Sequence, residues 1–239
     1  MIRALVTGGS GTIGAAICRR LASAGNHVIV HTHSRPDSAA AIVDEIASAG
    51  GSAEVVQFDI SDGDASAVVL QQLLGLGPIQ ILVNNAGRTA DAPLAGMSRA
   101  QWSSVIDVVL NGFFNVTQPL LLPMIRTRWG RIINIASIAA LTGNRGQANY
   151  AAAKAGLIGA GKALALEVAS RGITVNTVAP GIIATPLSEQ AFDRERIAQL
   201  VPMQRAGTAE EVAQTVGFLA SDAAAYISGQ VLSVNGAMY

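Results

Sequence analysis

Arg3-Ala-Leu-Val-Thr7 runs directly into Gly8-Gly-Ser-Gly-Thr-Ile-Gly14, and a helical pattern, Ala15–Ala24, follows. A short apolar strand, a glycine-rich turn and a helix in that order decide the fold. Glycines let backbone N–H groups approach a pyrophosphate, and the N-terminus of the helix adds favourable dipole charge. A tight strand-to-helix turn needs glycine for geometry alone, so the turn is not specific by itself. No Lys-Ser or Lys-Thr follows the glycines, which excludes a Walker A loop. The strand before the turn favours a dinucleotide cradle.

Outward from this unit, apolar strand-like runs recur at His27–His31, Ala53–Phe58, Ile79–Asn84, Arg131–Ile135, Ile173–Ala179 and Gln230–Val234. Helical patterns separate them, near Ser38–Ala49, Asp64–Leu74, Gln101–Ile125, Asn149–Ser170 and Ala209–Ala220. Alternation of this kind, with nearly continuous apolar strands, predicts an α/β fold: a Rossmann-type doubly wound parallel sheet of about seven strands, helices on both faces. With 239 residues, half of them apolar, the chain can bury a large core as a single domain, 1–239. The segment 181–203 follows a strand's carboxyl end, where open α/β sheets bind ligands. It is expected to be either a substrate lid or an ordinary surface loop.

The formal charge is zero, which points to neither nucleic acid nor a membrane surface. No apolar run is long and clean enough to suggest membrane insertion. The lone Cys18 cannot form an internal disulfide and reads as a packed thiol. The chain passes from Met1 straight into the glycine turn, with no room for a signal peptide, so a cytoplasmic location is expected. No metal site is expected.

Tyr150-Ala-Ala-Ala-Lys154 places a phenol and an ammonium one turn apart on a helix face. A free phenol has a pKa of about 10, and an ammonium within a few Å favours the phenolate, which brings that value toward a useful range. Ser137 ends the apolar run Arg131-Ile-Ile-Asn-Ile-Ala136, where a hydroxyl at a strand's carboxyl end can donate to a carbonyl oxygen. A Tyr-x-x-x-Lys pair alone is common by chance.

With these residues together, the whole chain resembles the short-chain dehydrogenase/reductase family, and within it the 3-oxoacyl-[acyl-carrier-protein] reductases. Asn84-Asn-Ala-Gly87, Ser137, Tyr150-x-x-x-Lys154 and Pro180-Gly181 carry the family resemblance. Gly143-Asn-Arg-Gly-Gln-Ala-Asn-Tyr-Ala-Ala-Ala-Lys-Ala-Gly156 and the ending Ser228-Gly-Gln-Val-Leu-Ser-Val-Asn-Gly-Ala-Met-Tyr239 carry the narrower one. The resemblance implies that Tyr150 is the general acid in reduction and that Ser137 polarises and orients the ketone. It implies that Lys154 holds the nicotinamide ribose and lowers the tyrosine pKa. Gly8, Gly9, Ser10, Gly11, Thr12, Ile13 and Gly14 fall on the cofactor turn, Asp59 and Ile60 on the adenine contacts, and Asn85, Ala86 and Gly87 on the cofactor wall. Ile183 and Thr185, after Pro180-Gly181, match contacts to the carboxamide. Asn84 reads better as a sheet-stabilising residue than as a ligand contact. Arg128 and Arg171 match basic positions that meet an acyl carrier protein, with Arg126, Arg131 and Arg145 nearby in sequence; solvated arginines are the plainer reading. A homotetramer of the family type is expected, with Gln101–Ile125 and Asn149–Ser170 at one interface.

The sequence departs from the family at two places. Thr12 replaces the middle glycine of the turn, with Gly11 one place earlier, where it offers compensating freedom. Val109 stands where the family carries the asparagine of its catalytic tetrad, and Asn111, rotated by about 200° around a helix, cannot substitute for it. At the end of the second strand, His33-Ser34-Arg35 offers donors for a 2′-phosphate where an NAD site carries an acid, which favours NADPH over NADH. Gly11 opposes this, because NADPH-preferring relatives often carry a basic residue there. The expected activity is reduction of a 3-oxoacyl thioester on an acyl carrier protein. A short-chain dehydrogenase acting on a free alcohol, sugar, steroid or acyl-CoA is the first alternative, and a non-catalytic nucleotide-binding scaffold, suggested by Val109, is the second.

Overall fold

In the computed structural model, which describes residues 1–186, 188 and 192–239, seven parallel strands form one sheet in the order β3-β2-β1-β4-β5-β6-β7. The strands are β1 Arg3–Val6, β2 His27–Thr32, β3 Ser52–Gln57, β4 Ile81–Asn84, β5 Gly130–Ile135, β6 Ile173–Pro180 and β7 Val231–Val234. The order reverses between β1 and β4, which leaves a crevice at their carboxyl ends, where open α/β sheets bind ligands.

Side chains alternate across the sheet, so β1 sends Ala4 and Val6 to one face and Leu5 to the other. On the first face, α1 (Thr12–Ser23) and α2 (Pro36–Ser48) pack with Ile17, Leu21, Ile42 and Ile46. On the second, α3 (Gly63–Gly75) contributes Leu70 and Leu73. The helix expected over Gln101–Ile125 is α4 (Arg99–Ile106), a π-helical segment Asp107–Asn111, and α5 (Gly112–Thr127). Ser98 starts it through a reciprocal capping box with Gln101. Within this run of 29 residues an 18-residue window reaches a mean hydropathy of 1.4, long and apolar enough, by composition, to cross a membrane. The sequence reading found no such span. Here one face of the run, with Val116, Leu120 and Met124, is buried against the sheet.

A short α6 (Ala139–Thr142) leads to α7 (Ala148–Val168), which covers the second face, and α8 (Arg194–Leu200) and α9 (Ala209–Leu219) follow β6. The α9 helix begins on a Thr208–Glu211 capping box and returns to the first face beside α1, with Val212 and Val216 in the core. Cys18 is fully buried beneath the glycine turn, and burial pushes its thiol up to about 12, so it packs as an inert apolar group. Within the segment 181–203, Ile183 bridges to Gly207 and Asp193 caps α8. The lid reading also covers Leu187 and residues 189–191, which lie outside the described residues.

Candidate active site

The glycine turn is held from both sides. Gly8, at φ +63°, is the turn's only left-handed residue, and a Cβ there would press on Ala86. Asn85 donates from its carboxamide to the carbonyls of Thr7 (2.8 Å) and Gly8 (3.1 Å). A Cβ on Gly14 would collide with the Gly8 carbonyl, so α1 can start this close to β1 only with glycine there. Gly11 is extended (φ −85°, ψ 165°) and supplies no unusual freedom, so Thr12 is accommodated as the first residue of α1 without the expected compensation. Gly9 packs toward Val30 and Cys18, which makes it a core contact.

Beside this turn lies a cleft of about 990 Å³. Its wall takes in the turn from Gly8 to Gly14 without Gly9, then His33–Arg35, Asp59 and Ile60, Asn85–Gly87, and Thr185. The amides of Ser10, Thr12, Ile13 and Gly14 have no acceptor among the described residues, while those of Gly8, Gly9 and Gly11 are paired internally. A run of free N–H groups at a helix start, beside a cleft of this size and a glycine that permits close backbone approach, fits a dinucleotide's pyrophosphate.

At the far end of the wall, Asp59 is pushed up by burial, but the Ser61 hydroxyl (2.7 Å) and amide (2.9 Å) outweigh that and hold it below its usual range. The Nδ1 of His33 lies 3.7 Å from the Asp59 carboxylate. Ile183 is buried in its bridge to Gly207, and Gly181 is pinned by its amide to Val234 and packed on Asn235.

The sequence reading did not single out His31, Arg88, Ser104, Asp107 or Val108, which also line the cleft. Arg88 directly follows Gly87 and was within reach of that motif. Ser104 comes from α4, and Asp107 and Val108 from the π segment, whose widened turn shifts the face that helical periodicity would assign.

Ser137 follows β5 at its carboxyl end, where its hydroxyl accepts the Ala139 amide at 3.2 Å, and α7 brings Tyr150 beside it, near enough for the serine to act on the tyrosine's pKa. Asn149 fixes the start of α7: its carboxamide donates to Ala90 and Gln101 (3.0 Å each) and accepts the Tyr150 amide at 2.8 Å. Lys154 is buried, donates to the Ile135 carbonyl at 2.6 Å, and lies next to Gly87 on the cleft wall.

The tyrosine is not pre-activated as the sequence suggested. Burial raises its pKa, the neighbouring Ser137 hydroxyl opposes the rise, and Asp91 adds to it. The Lys154 nitrogen sits 5.8 Å from the ring centroid and is committed to Ile135. Burial lowers the lysine itself to about 8. Val109 is 3% exposed in an apolar cluster with Val105, Ala153 and Leu157, against which Tyr150 packs. Asn111 is exposed and donates to Asp107 at 2.8 Å, away from the catalytic set. Asn84 donates to Thr117 (3.1 Å) and Asn134 (3.0 Å), tying β4 to β5 and α5 as a structural residue.

A doubly wound parallel sheet, a dinucleotide cleft at its switch point and a serine–tyrosine–lysine set at its edge define an oxidoreductase of the short-chain dehydrogenase type. The chain belongs to that family: residues 3–196 match the short chain dehydrogenases. Its near-full-length relatives include the 3-oxoacyl-[acyl-carrier-protein] reductase of a Synechocystis species, 47% identical over 98% of this chain and 96% of the relative. The reductase FabG of Aggregatibacter actinomycetemcomitans is 44% identical over 98% of both chains. That of Staphylococcus epidermidis is 44% identical over 99% of this chain and 98% of its own.

Proposed function

We propose that this chain reduces 3-oxoacyl thioesters, carried on an acyl carrier protein, to the 3-hydroxyacyl form, using NADPH. The observation that carries the reductive chemistry is the convergence of Ser137, after the carboxyl end of β5, with Tyr150 and Lys154 of α7, the lysine tied to β5 at Ile135 and lying beside Gly87 on the cleft wall. A bound nicotinamide would supply the hydride. Ser137 donates to the carbonyl oxygen and orients it, and Tyr150, kept protonated by its raised pKa, gives that oxygen its proton. Lys154, beside Gly87 on the cleft wall, would hold the nicotinamide ribose. The substrate class follows the likeness to the carrier-protein reductases.

The preference for NADPH is supported by Arg35. Its guanidinium lies 3.5 Å from where a Cβ on Gly11 would stand, so it covers the place of the basic residue that the glycine lacks. His33 and Ser34 lie beside it on the wall, and no acid follows β2 to accept from a ribose 2′-hydroxyl.

Carrier docking is proposed at Arg128 and Arg171. Both are exposed, and Arg128 donates to the Ser170 carbonyl at 3.3 Å. They precede β5 and β6, so a strand's length of about 20 Å separates them from the catalytic edge. A docked carrier must present its tethered acyl group across that span. Assembly as a homotetramer, residence in the cytoplasm and operation of residues 1–239 as one catalytic domain complete the proposal.

NADPH oxidation followed against 3-oxoacyl groups on carrier protein, on coenzyme A and on small thiols tests it. Faster turnover on the carrier-bound substrates is expected. Turnover confined to free alcohols or sugars would redirect the assignment, and no turnover on any substrate would favour a scaffold.

A further inference from the structure

His31 is a buried imidazole at the end of β2 that the reductive chemistry above does not use. It grips the glycine turn twice: its Nδ1 accepts the Gly8 amide at 3.0 Å, and its backbone carbonyl accepts the Gly9 amide at 2.8 Å. Because Nδ1 accepts, the ring proton must sit on Nε2, which donates to the Phe58 carbonyl at 3.0 Å. The Phe58 ring meets the imidazole edge-on, with centroids 4.4 Å apart. The imidazole therefore ties β1 to β3 through β2, beneath the cleft.

Only the neutral ring can do this, since an imidazolium has no acceptor for Gly8. Burial keeps it neutral: against the Phe58 carbonyl, which favours the charged ring, and with smaller opposing effects of His33 and Asp59, desolvation brings its pKa down to about 4.

We propose that His31 is a positioning residue that sets cofactor affinity, by holding the Gly8 amide inward so that the amides of Ser10, Thr12, Ile13 and Gly14 are left for the phosphates. This rests on the reading of the cleft as a dinucleotide site. Leucine fills the space but accepts nothing, whereas glutamine offers both an acceptor and a donor.

The experiment titrates NADPH and NADH by fluorescence into wild type, His31→Leu and His31→Gln, and records the His31 tautomer in wild type by nitrogen NMR. His31→Leu is expected to weaken dinucleotide binding about tenfold, the worth of one hydrogen bond, with turnover at saturating cofactor within about twofold of wild type. His31→Gln is expected to stay within about threefold in affinity. The tautomer is expected to be Nε2–H. A folded His31→Leu protein that binds like wild type overturns the proposal, as does an Nδ1–H tautomer. If His31→Leu does not fold, a tenfold loss in folded His31→Gln also overturns it. A wild-type chain that binds neither dinucleotide overturns the cofactor reading as well, which separates the two failures.

Discussion

The Nζ of Lys154 donates to the carbonyl of Ile135 at 2.6 Å, tying the catalytic helix to the strand that carries Ser137. The ammonium lies 5.8 Å from the Tyr150 ring centroid, and the group that opposes the tyrosine's raised pKa is Ser137. The lysine lies beside Gly87 on the cleft wall, and its burial has a consequence for pH.

The folded pKa of Lys154 is about 8, against 10.5 for the free group. Between these values the unfolded chain binds more protons than the folded one, so the lysine's contribution to stability rises with pH through that window. Below about pH 8 both states are charged and the full cost of burying the ammonium remains. Denaturant unfolding should show wild type gaining on Lys154→Met as pH rises from 8 to 10, by on the order of 3 kcal/mol at most. A difference that stays flat with pH would mean that Lys154 is not desolvated as the structure shows.

Val109→Asn should leave turnover unchanged or lower it. The site is 3% exposed and lined by Val105, Ala153 and Leu157, where an unpaired amide costs about 1–3 kcal/mol. Turnover and melting temperature measured together decide the matter. A several-fold gain in turnover at unchanged stability would show that the relay lacks a side-chain amide at that place.

Arg35→Ala should raise the KM for NADPH by about tenfold or more and leave that for NADH nearly unchanged, since only the first carries a 2′-phosphate. Equal changes for both cofactors would place Arg35 outside the specificity contact.

On α7, which is expected at the assembly interface, the small residues Ala152, Ala153, Ala155, Gly156, Gly159 and Ala160 would allow close approach, and the structure divides them. Ala153 and Gly156 are used within the subunit, Gly156 against Leu110, while Ala152, Ala155 and Gly159 are exposed. Leu166, 87% exposed on the same helix, and Phe114 and Leu122 on α5 add apolar surface. Light scattering should give a tetramer, and Leu166→Glu should shift it toward smaller species. A wild-type monomer at working concentration would contradict this.

Much of the fold was legible because strand and helix periods alternate cleanly and the glycine turn anchors their order. The π segment was not, because an extra residue in one helical turn leaves no mark on apolar spacing, and it is this segment that carries Asp107 and Val108 on the cleft wall. Tyr150 and Lys154 could be paired from their four-residue spacing, but not the choice of Ile135 as the lysine's partner, which depends on how α7 crosses β5. His31 was unreadable for a similar reason: within an apolar strand, only the positions of Gly8 and Phe58 reveal its two partners.

The most direct test of the reductase assignment is turnover of Tyr150→Phe on a carrier-bound 3-oxoacyl substrate, with NADPH binding and melting temperature measured on the same protein and Ser137→Ala alongside. Loss of the phenol hydroxyl should leave fold and cofactor binding intact while abolishing reduction, and Ser137→Ala should slow it by about 10²-fold or more. Near-normal NADPH consumption by a folded Tyr150→Phe enzyme would contradict the assignment of Tyr150 as the proton donor.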